Sequence, residues 1–377
     1  MRDKRSYWLW LQHAMGAGST KPSRILEMHE SLEEFYESGR QGWLLDGIFT
    51  PRELENLDSY TLDQAEAQLE FTEKLGQQVL CPEDAGYPAL LRQTVSPPCA
   101  LYVKGQLPPE EALCIAMVGT RKASPAGLSA ANSIAYSLAK QGAVVVSGGA
   151  LGIDSACHTG ALRAGGKTVC VLGCGIDYNY LMKNASLREA VSHSGALVSE
   201  YPPNTPASAN SFPIRNRIIS GLSAGTVVVE AAAKSGSLIT VGFALEQGRD
   251  VFAVPGAVTS LVSQGTNSLI REGAKPVTCA EDILEEYPSF FPRCRREERC
   301  PAVLPPDPPE EEPAPLPVPQ LSPEGEALYR ALGREPAHLS QLAAQAGLSM
   351  GAALGAVTEL ELGGLVHSYS GRRYSRG

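Results

Sequence analysis

Between residues 113 and 285 the chain repeats one unit: a short, β-branched apolar segment, a glycine turn, then a stretch of helical character. The apolar segments fall at 113–118, 143–146, 168–172, 196–198, 226–229 and 251–254. The helical stretches fall at 125–140, 153–164, 183–193, 215–222 and 237–247. Two parallel strands cannot be joined by a tight turn; they need a crossover, and a helix is the usual one. The alternation therefore predicts an α/β fold, a parallel sheet covered by helices on both faces. In such sheets ligands bind beyond the carboxyl ends of the strands.

The flanks differ from this middle region. Nine of the twenty residues at 301–320 are proline. Proline fixes φ and removes a donor, so the stretch reads as a semi-rigid linker, taken with its approach as 291–320. Residues 321–377 predict a small winged-helix domain. One helix spans 323–332 and a second begins near Leu339. A turn follows at Gly347-Leu348-Ser349, then a third helix through Leu354, Val357, Leu360 and Leu362 that Gly363-Gly364 ends. A hairpin about Gly371 closes the domain. Residues 1–80 predict a helical domain of the helix-hairpin-helix or SAM-like kind, with Gly16-Ala17-Gly18 between two amphipathic stretches. Such a turn either grips a DNA backbone or belongs to a plain bundle, and the residues alone favour the bundle. The sheet domain is then 81–290.

The net charge of −9 argues at first against nucleic acid, but the acid excess is local. Residues 1–104 hold 10 basic and 16 acidic side chains, whereas 105–285 hold 13 of each. The middle region is neutral, so a basic pocket there is compatible with an acidic chain. The charged start and the short Tyr7-Trp8-Leu9-Trp10-Leu11 run do not make a signal sequence, and no apolar run reaches the ~18 residues of a membrane span. Nine cysteines, an odd number without a C-x-x-C pair, read as buried or incidental thiols. A cytoplasmic protein with no membrane association, no metal and no cofactor is expected.

The turns that follow the strands carry the chemistry. They are Gly119-Thr120-Arg121-Lys122, Ser147-Gly148-Gly149, Gly173-Cys174-Gly175, and Glu230 with Ser235-Gly236-Ser237 beyond it. Glycine lets backbone N–H groups approach an anion, and helix N-termini add a positive field. All four turns fall on one edge of the sheet, which predicts a crevice for phosphates. The dinucleotide fingerprint fails after the first strand because Arg121 holds the second glycine position, and no Lys-Ser/Thr follows a glycine-rich loop. An arginine there suits a phosphate of a polynucleotide or monoester; the plain alternative is a surface ion pair.

Phe212-Pro213-Ile214-Arg215-Asn216-Arg217 is the most specific stretch. It places Arg215 and Arg217 around Asn216 at the expected start of a helix, where they suit backbone phosphates. Phe212 and Tyr201 are candidates for base stacking, or Phe212 belongs to the core. Catalytic constellations are sparse. Asp154 and His158, four residues apart on one helix, read as a local surface pair rather than a dyad. Glu230 is the one carboxylate to watch as a general base, with a structural hydrogen-bonding role favoured.

At these residues the chain resembles the DNA-processing DprA/Smf family. The resemblance rests on VGTRKAS (118–124), GIDSACHTGAL (152–162), VLGCGID (171–177), SEYPP (199–203), FPIRNRIISGLS (212–223), SGSLIT (235–240) and FAVPG (252–256), in that order. It implies an extended Rossmann-like domain that binds single-stranded DNA, flanked by the helical and winged-helix domains. It further implies a homodimer without established enzymatic activity that loads a RecA-type recombinase onto incoming DNA in natural transformation. The family's DNA-contacting arginine falls on Arg121, and its basic stretch on Arg215 and Arg217. Two departures stand out: Leu151 where the family often has arginine, and Tyr180-Leu181 where it often has Tyr-Pro.

Two other readings compete. One is a nucleotide-processing enzyme of the phosphoribohydrolase kind, which needs a P-G-G-x-G-T-x-x-E run; here Ala257 follows Pro255-Gly256. The other is a sequence-specific regulator, but the helix at 350–361 carries Glu359 and Glu361 and no Lys or Arg to read a major groove. For self-association, 265–273 reads as a short helix whose adjacent Leu269 and Ile270 point about 100° apart, so one of them is a candidate for a two-fold contact.

Overall fold

A computed structural model describes residues 2–290, 321–333, 336–362, 365–369 and 371–376. The proline-rich linker at 291–320 and the Gly363-Gly364 stop lie outside the described residues. The chain divides into two compact units, Met1–Leu304 and Pro305–Gly377.

The first unit opens with five helices: α1 (Lys4–Met15), α2 (Lys21–Met28), α3 (Leu32–Asp46), α4 (Pro51–Ser59) and α5 (Leu62–Lys74). Thr50 and Thr61 start α4 and α5 with capping boxes, each side chain accepting the N–H of the residue three ahead, Glu53 or Gln64, which reaches back. Then come β1 (Gln78–Leu80), α6 (Ala89–Arg92) and β2 (Leu101–Gly105), followed by the alternating region: β3 (Cys114–Val118), α7 (Pro125–Lys140), β4 (Val144–Gly148), α8 (Ile153–Arg163), β5 (Thr168–Leu172), α9 (Ala185–Ser194), β6 (Ala196–Ser199), α10 (Ser211–Gly221), β7 (Gly225–Val228), α11 (Ser237–Glu246), β8 (Asp250–Ala253), α12 (Gln264–Arg271), β9 (Lys275–Pro276) and α13 (Glu281–Leu284).

The nine strands form one sheet in the order β1-β2-β6-β5-β4-β3-β7-β8-β9. The strands from β3 to β9 run parallel, while β2 joins the edge antiparallel to β6 and β1 pairs antiparallel with β2. Every residue of β3, β4 and β5 is buried, as a sheet covered on both faces requires. The expected α/β architecture is therefore the observed one, with α7 and β5 at the expected bounds. The β1–β2 edge is an addition: strands of three and five residues leave no alternation to read, one at the end of the expected helical domain and one ahead of the first expected strand. From β3 the chain winds outward through β4, β5 and β6, then returns to lay β7 on the other side of β3. The order reverses at that point, and a crevice opens there beyond the strand ends.

Helix α10 starts four residues before the expected 215. Ser211 donates its hydroxyl to the Gly173 carbonyl at 2.5 Å, which draws the chain into helix early. Pro213 is tolerated because the first turn needs no intrahelical donor. Arg215 and Arg217 thus lie in the second turn rather than at the N-terminus.

The N-terminal helices share a continuous hydrophobic core with one face of the sheet: Trp8, Trp10, Leu57 and Leu69 belong to the same cluster as Tyr102, Cys170, Leu172 and Leu197. A buried ion pair reinforces this seam. Arg217 Nη2 lies 2.5 Å from Glu200 Oε1, with both residues at most 5% exposed. The same carboxylate oxygen accepts the Gly18 N–H at 3.1 Å, and the Glu200 carbonyl accepts from Gln12 Nε2 at 2.5 Å. Gly18 sits at φ +79°, and a Cβ there would come within 2.8 Å of Ile214. Through Gly18 the Gly16-Ala17-Gly18 turn docks onto Glu200, just beyond β6, and onto α10.

In the second unit α14 (Pro323–Ala331), β10 (Ala337–His338), α15 (Leu339–Ala346), α16 (Met350–Leu362), β11 (Val366–Tyr369) and β12 (Arg373–Arg376) make the expected winged helix, with sheet order β10-β12-β11. Its core holds Leu328, Leu342, Val357 and Leu360. Glu359, on the third helix, accepts from the Ser322 N–H and hydroxyl and fastens the start of α14.

Removing one partner of a buried ion pair leaves an uncompensated charge, at a cost of ~3–5 kcal/mol. Arg217→Ala should lower the urea midpoint by a corresponding amount, and adding Glu200→Gln should recover part of the loss. An unchanged midpoint for Arg217→Ala would mean that the pair does not hold the seam.

Candidate nucleic-acid interface

The crevice beyond β3 and β7 has a volume of about 520 Å³. Four segments build it. The turn after β3 contributes Gly119, Thr120 and Arg121; α10 contributes Phe212 from its first turn and Arg215 and Asn216 from its second; the start of α11 contributes Ser235, Gly236 and Ser237; the turn after β4 and the start of α8 contribute Ala150 and Asp154. The leading amides of a helix have no intrahelical acceptor, so two positive helix ends open on one space.

Arg121 is exposed, and its guanidinium carbon lies 5.1 Å from the centroid of the half-buried Phe212 ring. A cation over the ring face is attracted by the ring quadrupole, so each orients the other. Gly173 makes the room: a Cβ there would meet the ring at 3.1 Å. Tyr180 packs against Phe212 in a tilted arrangement, with centroids 5.4 Å apart.

Arg215 is 5% exposed. It donates from Nη1 to the Val171 carbonyl, and its Nε has no hydrogen-bond partner among the described residues. Gly148 leaves room for both Asp154 and Arg215: a Cβ there would lie 2.5 Å from Asp154 Oδ2 and 2.6 Å from Arg215 Nη1. Burial lowers the pKa of Arg215, with Asp154 opposing that shift. Burial pushes the Asp154 carboxyl up to about 6, against the pull of Arg215, the Ala150 N–H, Arg121 and Ser147.

The structure thus brings Gly119, Arg121, Phe212, Arg215, Asn216, Ser235, Gly236 and Ser237 to one crevice. Other expected residues lie elsewhere. Ser147 is fully buried, donates to the Met117 carbonyl at 2.6 Å and does not line the crevice. Gly148, Gly149 and Gly173 act as spacing beneath the lining: a Cβ on Gly149 would strike Leu172. Lys122 is exposed on the outer side of Arg121, in an adjoining groove. Arg217 corrects the expectation of a second phosphate contact, since its guanidinium is consumed by Glu200 and by the Ser96 carbonyl. Residues two apart on a helix point about 200° apart, so Arg215 and Arg217 cannot face one crevice. Tyr201 is half-buried with an enclosed hydroxyl and does not line the crevice.

The reading of Asp154 and His158 as a surface pair is also corrected. Both are buried, and they serve different partners. His158 contacts Thr168 Oγ1 at 2.8 Å and the Gly148 carbonyl at 3.0 Å, and burial brings its pKa down to about 4. Asp154 is the lining residue that sequence reasoning missed; its i,i+4 spacing to His158 pointed away from the crevice. Glu230 has the favoured structural role. Its carboxylate accepts the Ser124 N–H at 2.9 Å and the Ser124 hydroxyl at 2.5 Å, pinning the start of α7.

Comparison with known proteins places this geometry in context. The family model for DNA recombination-mediator protein A matches 78–288, and that for the DprA winged helix domain matches 312–372. Protein Smf of Synechocystis is 31% identical across 99% of both chains. The X-ray structure of DNA processing protein A from Streptococcus pneumoniae superposes with a TM-score of 0.67 at 32% identity, over 76% of this chain and 99% of that one. DNA processing protein A from Helicobacter pylori, whose structure is described by its single-stranded DNA binding mode, gives a TM-score of 0.50 at 29% identity, over 56% and 94%.

The two buried groups pull stability in opposite directions with pH. Asp154, raised from 3.8 to about 6, favours the folded state more as pH falls through 6 towards 4. His158, lowered from 6.5 to about 4, disfavours it over a similar window, because the unfolded chain takes up the proton first. Asp154→Asn removes the first effect and keeps the second. Its denaturation midpoint should therefore fall more steeply than that of wild type between pH 6.5 and 4.5. Parallel pH profiles would show that Asp154 is not a high-pKa buried carboxyl.

Proposed function

This chain belongs to the DprA/Smf family of DNA-processing proteins, and from that premise we propose that it is a single-stranded DNA-binding mediator of recombination. The observation that carries the reading is Arg121 lying over Phe212 at the mouth of a crevice made electropositive by two helix ends and a buried arginine. An unpaired base can reach an aromatic ring, whereas a base inside a duplex cannot. The phosphate beside it meets Arg121, the amides of Gly119 and Gly236, and the hydroxyls of Ser235 and Ser237. Arg215 acts from below, and Asn216 borders the path. Gly148, Gly149, Gly173 and Ser147 shape the floor, and Lys122 continues the basic edge.

The finer parts of the reading rest on the family. The bound strand is handed to a RecA-type recombinase, as the description of a recombination mediator suggests, during natural transformation. The protein works as a homodimer, with α12 a candidate contact: Leu269 packs towards the sheet core while Ile270 stays half-buried. Two crevices on one strand would raise avidity without new contacts. Residues 1–80, 81–290 and 321–377 act as helical, Rossmann-like and winged-helix domains joined by the 291–320 linker. No described helix is long and apolar enough to cross a membrane, and the seven described cysteines are free, in keeping with a reducing compartment. No catalytic step is assigned. The carboxylate of Glu230 accepts from Ser124, which supports the structural role favoured for it over that of a general base.

Fluorescence anisotropy with labelled oligonucleotides tests the reading. Wild type should bind a single strand more tightly than a duplex, with affinity falling as salt rises. Arg121→Ala should weaken binding to all sequences alike and reduce the salt slope by about one. Wild-type affinity in Arg121→Ala, or release of free base from a nucleoside monophosphate, would contradict it.

A further inference from the structure

A second depression adjoins the crevice and shares Arg121 with it. It runs between α7 and α8, with Leu128 and Asn132 on one side, Ala156 and Thr159 on the other, and Leu151 at one end. Its volume is about 450 Å³. Gly152, at φ +83°, joins the two spaces: a Cβ there would lie 2.5 Å from the Thr120 carbonyl oxygen and 2.6 Å from that of Arg121. The turn after β4 therefore rests directly on the loop that carries Arg121. Asn184 fixes the remaining wall, donating from Nδ2 to the carbonyls of Gly149 and Ala150 and to Ser155 Oγ.

The groove has the character of a nucleoside site. Leu128 and Leu151 are each 38% exposed, which leaves an apolar surface open to solvent. Asn132 and Thr159 line the groove as well, and give it polar groups beside the leucines for the edge of a base to meet. Arg121 and Lys122 stand at the mouth, and no carboxylate lines the groove among the described residues. Two cations beside an apolar floor complement a phosphate followed by a sugar and base.

We propose that this groove is a second nucleotide subsite, in which a single strand bound over Phe212 turns across Arg121 and Lys122 and lays its neighbouring nucleoside on Leu128 and Leu151. The inference rests on the strand-binding reading above, and it gives Lys122 a phosphate between the two subsites.

The double variant Leu128→Ser with Leu151→Ser tests it, since both side chains are exposed enough to be changed without opening the core. Circular dichroism and a thermal melt confirm the fold. Binding of the full chain to a labelled oligothymidylate is then measured against salt, with Arg121→Ala in parallel. The double variant should bind about five- to tenfold more weakly with an unchanged salt slope, because it loses apolar contact and no phosphate contact. Arg121→Ala should lose affinity and slope together. If the double variant binds as wild type does while Arg121→Ala is weakened, the crevice stands and the groove is not a nucleotide subsite; a protein partner on this face would give that same overturning result. If wild type binds no single strand, the strand-binding reading fails and the groove assignment fails with it.

Discussion

Everything the crevice presents depends on how α10 is held. The helix carries two arginines two positions apart, and the helical period sends them to opposite sides. Arg217 turns back to Glu200, which also takes the N–H of Gly18, so one buried carboxylate joins the N-terminal helices, α10 and the end of β6. Arg215 turns the other way, under the Val171 carbonyl and beside Asp154. With the helix fixed between these two anchors, its first turn delivers Phe212 to the mouth of the crevice. A buried ion pair contributes little net stability, because desolvation offsets most of the attraction. Its value here is positional.

The crevice combines an exposed cation at its rim with a buried one in its floor. Arg121 is exposed, and solvent and salt screen its attraction for a phosphate. Arg215 is dry, so its charge acts through a medium of lower dielectric, partly balanced by the Asp154 carboxyl. This arrangement suits a ligand that carries its charge on every repeat and enters along a line. The glycines of the neighbouring turns fit the same picture: Gly148 and Gly173 are required by what sits on them, the Asp154 and Arg215 side chains on the first and an aromatic ring on the second.

Much of this was legible in the residues. Six β-branched segments, separated by five helical stretches and mostly followed by glycine turns, were enough for the parallel sheet and for the edge on which the turns gather. Arg121 and Phe212 stood out by chemistry and are found together. What escaped was set by tertiary context. Arg217 is basic and adjoins Asn216, and only the helix phase and the distant Glu200 reveal that it is spent elsewhere. Ser147 looked like a turn residue, but it ends a buried strand and bonds across to β3. Asp154 was hidden by its spacing to His158, which suggested a surface pair in a segment that the sheet covers. The β1–β2 edge was missed because strands so short have no period to detect, and β2 is recognisable only by its pairing with β6.

Hydrogen exchange with and without a single-stranded oligonucleotide tests the central claim most directly. Strand binding in the crevice predicts slowed exchange at the turn carrying Gly119–Arg121 and over the first turns of α10 and α11. Exchange at α4, α5 and the winged-helix core should be unchanged. Protection confined to the winged-helix unit or to the N-terminal helices, with none at these three segments, would contradict the account.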